Sequence, residues 1–293
     1  MDRFALVPVR LSCVLLAVCG MLFSGHVPAS GRDGGKGLPF SYVWERVQMD
    51  GSRTGVVCPS AGDVPESLGR MDGRIYVSPS GQVFGPGIVA DVAGVVTDAQ
   101  TVMAPVKKVV GYSPVAMKAE YPESALSNLF VDRVMDAVGE VSGRKVDVGI
   151  VNFGGIRVDM PEGDILVDDI MSMFPFKNTI VYVSLKGSRL REILDGMAAD
   201  VFQVIGGMRV VASGGKVVSV EVGGEPLEDD RLYGLATISF LLHGGDDLYL
   251  GEGVESVSEY PVDIYDVMMA YIKAETTAGR EIVYHTDGRV VIR

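Results

Sequence analysis

A chain of 293 residues, 47% of them hydrophobic and 22% charged, carries enough apolar material for a packed core, which excludes wholesale disorder. The formal net charge of −12 disfavours non-specific attraction to nucleic acid or to an anionic membrane, since both need a basic face; an anionic small ligand would need a local basic pocket. Length alone admits two average domains or one large mixed one.

At the N-terminus, Arg3 and Arg10 precede the apolar run Leu11 to Phe23, and small residues follow around Val27-Pro28-Ala29-Ser30. This pattern predicts a secretory signal peptide over residues 1–30, cleaved near Ala29, and a periplasmic or secreted protein with no transmembrane segment after cleavage. Leu16-Ala17-Val18-Cys19 is similar to a bacterial lipobox, so a lipoprotein anchored at Cys19 is the alternative. Cleavage leaves Cys58, or Cys58 beside a lipidated Cys19, and so no intrachain disulfide framework. Residues 31–41 are Gly-rich and charged, the composition of a flexible tether. From 42 to 97, turn signals at Asp50-Gly51, Ser60-Ala61-Gly62, Asp72-Gly73 and Pro79-Ser80-Gly81 predict short strands and loops, an N-terminal extension packed on a main domain of residues 98–293.

In the main domain, helix-like and strand-like segments alternate. Ala116 to Val138 places Leu126, Leu129, Phe130, Val134 and Val138 at helical spacing, with Glu123-Ser124 near the start. Val146 to Asn152 reads as a buried strand. Asn178 to Leu185 reads as another, ending in Lys186-Gly187-Ser188 with Ser188 as the cap of a helix over Arg189 to Ala199. Met208 to Ala212 and Val217 to Val222 form a hairpin across Ser213-Gly214-Gly215. Tyr233 to Ile238 is a strand, Val262 to Glu275 a helix, and Val290 to Arg293 a short terminal strand. The result is a mixed α and β fold around one core.

Three loops carry the chemistry. Asn152-Phe153-Gly154-Gly155-Ile156-Arg157 follows a strand and combines an amide, two glycines that let backbone approach a ligand, and a guanidinium suited to planar recognition of oxygens. A tight turn with Arg157 in a surface ion pair explains the same residues equally well. Phe174-Pro175-Phe176-Lys177-Asn178-Thr179 stands just before a strand. Ser239-Phe240-Leu241-Leu242-His243-Gly244-Gly245-Asp246-Asp247 ends one. Two aromatics on separate loops suit a flat base, and Asp246 suits hydroxyl donors; a proline-flanked aromatic also plugs a core edge, and His243 reads as an exposed loop residue.

In this order the loops resemble the C-terminal domain of the 5′-nucleotidase family, whose pattern is Asn-Gly-Gly-Gly-Ile-Arg, then Pro-Phe-Gly-Asn before a strand and a Leu-x-Gly turn, then Asn-Phe/Tyr-Leu-Ala-x-Gly-Gly-Asp-Gly. The matching residues are those of the first loop, Pro175-Phe176-Lys177-Asn178 with Leu185-Lys186-Gly187-Ser188, and those of the third loop. Glu123 to Leu129 is similar to the family's helix leading into Gly-Asn-Leu, and Gln203 to Val210 to its Gln-Val-Ser-Gly segment, so the likeness runs over roughly residues 105 to 290.

The resemblance implies an α+β (mixed α/β) fold with four α/β/β/α layers and mixed sheets. It implies a base stacked between Phe176 and Phe240, with Asn152 and Arg157 on ligand oxygens or the base edge, Asp246 on the ribose hydroxyls, and Asn178 and Gly207 lining the site. Phe153, Lys177 and Asp247 stand where the family has glycines, and Glu120 stands near its upstream basic residue, where only Lys118 could substitute.

In the family, hydrolysis belongs to a metallophosphatase domain whose two divalent metals are held by Asp, His and Asn. These 293 residues hold only His26, His243 and His285, and no Asp-x-His or Gly-Asn-His-Glu signature. The expectation is therefore no cofactor and no catalytic residue in this chain. It would be the recognition half of a split periplasmic 5′-nucleotidase, binding a nucleotide or nucleoside, with divalent metals on a separate metallophosphatase chain. The alternatives are a non-catalytic periplasmic nucleotide- or nucleoside-binding protein, and an interaction protein that kept the fold and lost the pocket.

Overall fold

The computed structural model describes residues 51, 54–57, 59 and 63–293. The expected signal peptide, the tether, Cys19, His26 and Cys58 lie outside the described residues. The chain divides into two compact units between Thr101 and Val102.

The first unit holds a short helix α1 (Val64–Leu68) and a three-stranded antiparallel sheet of β1 (Arg70–Asp72), β2 (Ile75–Val77) and β3 (Val83–Phe84). Its turns fall at the expected Asp72-Gly73 and Pro79-Ser80-Gly81. Tyr76 anchors it, stacked on Phe84 at 5.8 Å and donating its hydroxyl to the Leu68 carbonyl at 2.7 Å. The short strands and turns were legible; the 16-residue helix α2 (Ile88–Met103) was not. Its valine-rich sequence, broken by Gly94, has the β-branched composition of strands, yet only Ala90 is buried along it.

The second unit adds β4 (Val109–Ser113), α3 (Ala125–Ser142), β5 (Val148–Val151), β6 (Gly163–Leu166), α4 (Val167–Met173), β7 (Thr179–Lys186), α5 (Gly187–Ala199), β8 (Val204–Gly206), β9 (Met208–Ser213), β10 (Lys216–Val222), β11 (Glu225–Pro226), β12 (Leu232–Ile238), α6 (Ser239–Leu242), β13 (Ser256–Asp263), α7 (Ile264–Thr277) and β14 (Val290–Ile292). A five-stranded mixed sheet runs β13-β7-β12-β5-β8 and a four-stranded mixed sheet β11-β10-β9-β14, while β4 pairs with β6. Helices α3 and α7 pack together and lie against the five-stranded sheet; α5 packs on β10. This is the expected α+β class with mixed sheets.

Local chemistry explains the element ends. The predicted helix from Ala116 starts only at Ala125, because Pro122 blocks an earlier start and Ser124 caps it: the Ser124 hydroxyl accepts from the Ser127 backbone, and the Ser127 hydroxyl accepts from the Ser124 backbone. All five apolar positions read from its sequence are buried. Ser188 is not the cap of α5. That helix starts two residues earlier than expected, at Gly187, and the Gly187 and Ser188 N–H groups donate instead to the carbonyls of Arg231 and Asp229. The β9–β10 hairpin turns through Gly214 and Gly215, both at positive φ (55° and 76°), the backbone that a two-residue hairpin turn requires.

The C-terminal segment is tied down by a buried cation. Arg289, 8% exposed, donates to both Asp132 oxygens at 2.8 and 3.1 Å, to Asp287 at 2.7 and 2.9 Å, and to the Ile205 carbonyl at 3.2 Å. Tyr284 donates to the same Asp132 at 2.5 Å. Glu123 closes the other side, accepting from Asn128, Asp287 and Gly288. Burial, the hydrogen bond to Asp132 and that carboxylate's charge push the Tyr284 hydroxyl up to about 12.

Removing Arg289 strands Asp132, so Arg289→Ala is expected to destabilise the fold by about 3 kcal/mol, read from urea unfolding. Because the Tyr284 value is raised above the ordinary 10.0, its contribution is fully present below pH 10 and lost as pH rises through about 12. Denaturant midpoints measured across that alkaline window should fall for the wild type and fall less steeply for Tyr284→Phe.

Candidate functional site

Strand direction gathers the three loops. β5 runs parallel to β12, with Val148 opposite Leu235 and Gly149 opposite Ala236, so the two strands end level with each other and are followed by Asn152 and by Ser239. β7 runs antiparallel to β12 with Ile180 opposite Ile238, so the residues preceding β7, Phe176 to Asn178, lie at that same edge. A hydrogen bond from the Thr179 N–H to the Ser239 hydroxyl at 3.0 Å ties the two loops there.

Asn152 is 4% exposed, and its Nδ2 donates to Asp246 Oδ2 at 2.8 Å, linking the first loop to the third. The glycines after it serve this side chain. A Cβ on Gly155 would come within 2.8 Å of Asn152 Oδ1, and one on Gly154 within 3.3 Å of Asn152 Nδ2. Their smallness makes room for the amide, which differs from the expectation that they bring backbone close to a ligand. Arg157 is exposed; its Nη1 donates to the Gly154 carbonyl at 3.3 Å and its guanidinium sits 5.7 Å from the Phe176 ring centroid. The ion pairs of the described residues do not include Arg157, so the surface-pair explanation of this residue has no support there.

Phe176 and Phe240 are 47% and 41% exposed, unusual for phenylalanine at the end of a buried sheet. Phe176, Asn178 and Gly155 share one small cleft whose floor is Phe130, Phe174, Ile238 and Ile264. Phe174, the other aromatic of that loop, is the core plug, packed on Phe130 at 4.8 Å. Asn178 is half-buried and its carbonyl accepts from the Ile264 N–H at 3.2 Å. The Phe240 ring lies on Gly245, where any side chain would collide with it. Asp246 is exposed and holds left-handed backbone at φ 51°, followed by Asp247 at φ 56°. Aspartate tolerates that region better than most residues, so Asp247 keeps the backbone a glycine would have there.

Gly207 is not brought to this edge. β8 pairs antiparallel with β5, Val204 opposite Val151 and Gly206 opposite Gly149, which carries Gly207 to the far end beside the Asp147 carbonyl. That end is roughly 13 Å from Asn152 at the usual strand rise. The residue of this segment that does reach the site is Gln203, whose Oε1 accepts from the Phe153 N–H at 3.1 Å. The Phe153 ring, in turn, meets Tyr121 at 6.1 Å and 56°. Gln203 was visible in the resemblance; Tyr121 had no sequence signal, because its partner lies across the fold. Lys118, Glu120 and His243 are exposed, and His285 contributes its backbone carbonyl to Asn128. Among the described residues no three His, Cys, Asp or Glu side chains gather as a metal site, and no helix is long and apolar enough to cross a membrane.

Residues 101–251 match the family model described as 5′-nucleotidase, C-terminal domain. Protein UshA of Yersinia enterocolitica is 30% identical over 134 residues, covering 44% of this chain and 23% of that protein. The 5′-nucleotidase of Bos taurus is 31% identical over 166 residues, covering 48% of this chain and 29% of that protein. The chain thus matches about a quarter of the length of these relatives. The crystal structure of a 5′-nucleotidase precursor from Thermus thermophilus superposes with a TM-score of 0.61 at 24% identity, over 74% of this chain and 48% of that one. The sulfate thiohydrolase SoxB of Thermus thermophilus shares the fold with a TM-score of 0.52 at 19% identity, over 76% and 45%. With a family model matched over more than half its length and the three loops gathered at one sheet edge, the chain belongs to the 5′-nucleotidase C-terminal domain family.

Proposed function

We propose that this chain is the nucleotide-recognition part of an exported 5′-nucleotidase, and that the divalent metals for phosphate-ester hydrolysis are held by a separate metallophosphatase chain in the periplasm. The observation that carries this reading is the pair of half-exposed phenylalanines, Phe176 and Phe240, on two loops at one sheet edge, with the Asp246 carboxylate and the Arg157 guanidinium beside them. A base has two apolar faces and a ribose has hydroxyl donors. Stacking between the rings satisfies the first and Asp246 accepts from the second. Asn178, at the cleft below Phe176, faces the base edge, and Arg157 offers planar donors to ligand oxygens.

Among the described residues no three His, Cys, Asp or Glu side chains gather, and in this reading the metals belong to the partner chain. The roles this reading gives the chain are to bind the base, to orient the ribose and to present the phosphate outward. Because the same fold occurs in a sulfate thiohydrolase, the nucleotide reading rests on the side chains at the edge and not on the fold.

Calorimetric titration of the purified chain with adenosine and adenosine monophosphate should show binding, and Phe176→Ala or Phe240→Ala should each weaken it by about 1–3 kcal/mol, the usual value of a base stacked on an aromatic ring. Absence of binding by the wild type would overturn the reading. Phosphate release should be undetectable with the chain alone and appear once a metallophosphatase chain and a divalent metal are added. Turnover by the chain alone would sink the division of labour, and binding without turnover in either mixture would favour a nucleotide-binding protein.

A further inference from the structure

Helix α2 turns its apolar side outward. Ile88, Val89, Val92, Val95, Val96 and Val102 are between 41% and 82% exposed. The side that it covers is small and polar instead: Ala90 is buried, and Ala93, Gly94, Thr97 and Gln100 are partly so. A surface helix that serves only its own domain is arranged the other way round, apolar side in. We propose that α2 is a self-association helix, whose valine face packs in parallel against the same face of another copy of this chain. The proposal stands apart from the nucleotide reading.

The spacing of the face is that of a helix made to pair with a helix. Ile88, Val92, Val95, Ala99 and Val102 follow one another at alternating steps of four and three residues. This alternation keeps one seam turned toward a neighbouring helix along the whole length, since two turns advance by close to seven residues. Val89, Val96 and Met103 run beside the seam at the same seven-residue interval and widen it. Ala90 and Thr97, on the opposite side of the helix, belong to the covered face. Seam and packing face therefore point in opposite directions, and a neighbour reaches the seam without displacing anything α2 packs on.

Three features select another copy as that neighbour. The stripe carries no charge, and α2 has no Lys or Arg to draw an acidic partner or an anionic lipid headgroup; a face made only of apolar side chains is complementary to itself. The helix's charges, Asp91 and Asp98, both lie along one flank of the seam. In a parallel pair they meet the apolar flank of the neighbour, Asp91 beside Val96 and Asp98 beside Met103, whereas an antiparallel pair would set Asp91 against Asp98, like charges that disfavour that direction. The third feature is area. The exposed stripe amounts to roughly 500 Å² per helix, the size of patch that on a single chain is usually functional, and two copies together cover about 1,000 Å², where specific interfaces begin. Branched residues at both seam positions accommodate more than two strands as well.

The test uses the full chain and reads its mass by sedimentation equilibrium over a concentration series. The wild type is expected to weigh a whole multiple of the single chain at the upper end. Val95→Glu would bury charges against one another at the middle of the seam and should weaken association by at least about tenfold; Val92→Glu should do the same. Thr101→Glu, exposed on the same helix and off the stripe, should change nothing. All three side chains are exposed, so unchanged melting curves serve to check that each variant is folded. With the three native cysteines replaced by serine, Ile88→Cys should form a disulfide between copies under mild oxidation, because only parallel helices bring the two N-terminal ends together. A wild type that stays monomeric at every concentration would overturn the proposal, as would association that survives both valine substitutions or is lost equally with Thr101→Glu. Association without the Ile88→Cys cross-link would overturn the parallel arrangement. A monomer that binds phosphatidylcholine vesicles, and loses them with Val95→Glu, would give the face to a lipid surface and overturn the proposal too.

Discussion

The site depends on one constraint of the five-stranded sheet: β12 pairs parallel with β5 on one side and antiparallel with β7 on the other. Parallel neighbours end at the same edge, and an antiparallel neighbour begins there. Residues widely separated in the chain, Asn152 after β5, Asn178 before β7 and Ser239 after β12, therefore arrive level with one another through the strand pairing itself. Ligands in sheets with parallel strands gather at carboxyl ends for the same reason, because that is where loops can converge outside a packed core. Shifting the register of β7 by one residue would turn Ile180 and Tyr182 to the opposite face and move Phe176 with them.

Support for that edge reaches across the unit. Arg289 holds Asp132 of α3 and the Ile205 carbonyl of β8, and two residues before Ile205 stands Gln203, which accepts from the Phe153 N–H in the first loop. The C-terminal segment thus fixes β8 two residues from the side chain that holds the first loop. The C-terminal members of this clamp, Tyr284, Asp287 and Arg289, lie beyond the residues matched by the family model, as do β13, α7 and β14, whereas Asp132 and Ile205 lie within them. Buried ion pairs are weak evidence of net stabilisation, but breaking one is costly. Its visible effect here is to fix where β8 and the terminal strand meet.

The departures from the family pattern separate into kinds. Asp247 occupies left-handed backbone that glycine would take with less strain, so the loop keeps its course. Phe153 adds a ring that meets Tyr121 and leaves the backbone N–H bonded to Gln203. Lys177 adds an exposed cation between Phe176 and Asn178. None of the three displaces Phe176, Phe240 or Asp246 from the shared edge, and the structure gives no physical account of why a lysine stands at 177.

What the sequence determined by itself was local and periodic. The apolar spacing of α3, the apolar runs of β5, β7 and β12, the Gly214-Gly215 hairpin, and the ordered loops around Asn152, Phe176 and Phe240 were readable because each depends on residues within a few positions of one another. It misled where the same composition serves two structures, as in the valine-rich α2, and where a helix end is satisfied from afar, as at Gly187 and Ser188. Tertiary structure alone decided which residues share the site. Gly207 left it because β8 runs antiparallel to β5 and carries it to the opposite end, and Gln203 and Tyr121 entered it on the same strand geometry and packing. It also decided what Asn152 and its glycines do, since the Asp246 that the amide meets is 94 residues away in the chain and only the pairing of β5 with β12 brings the two together.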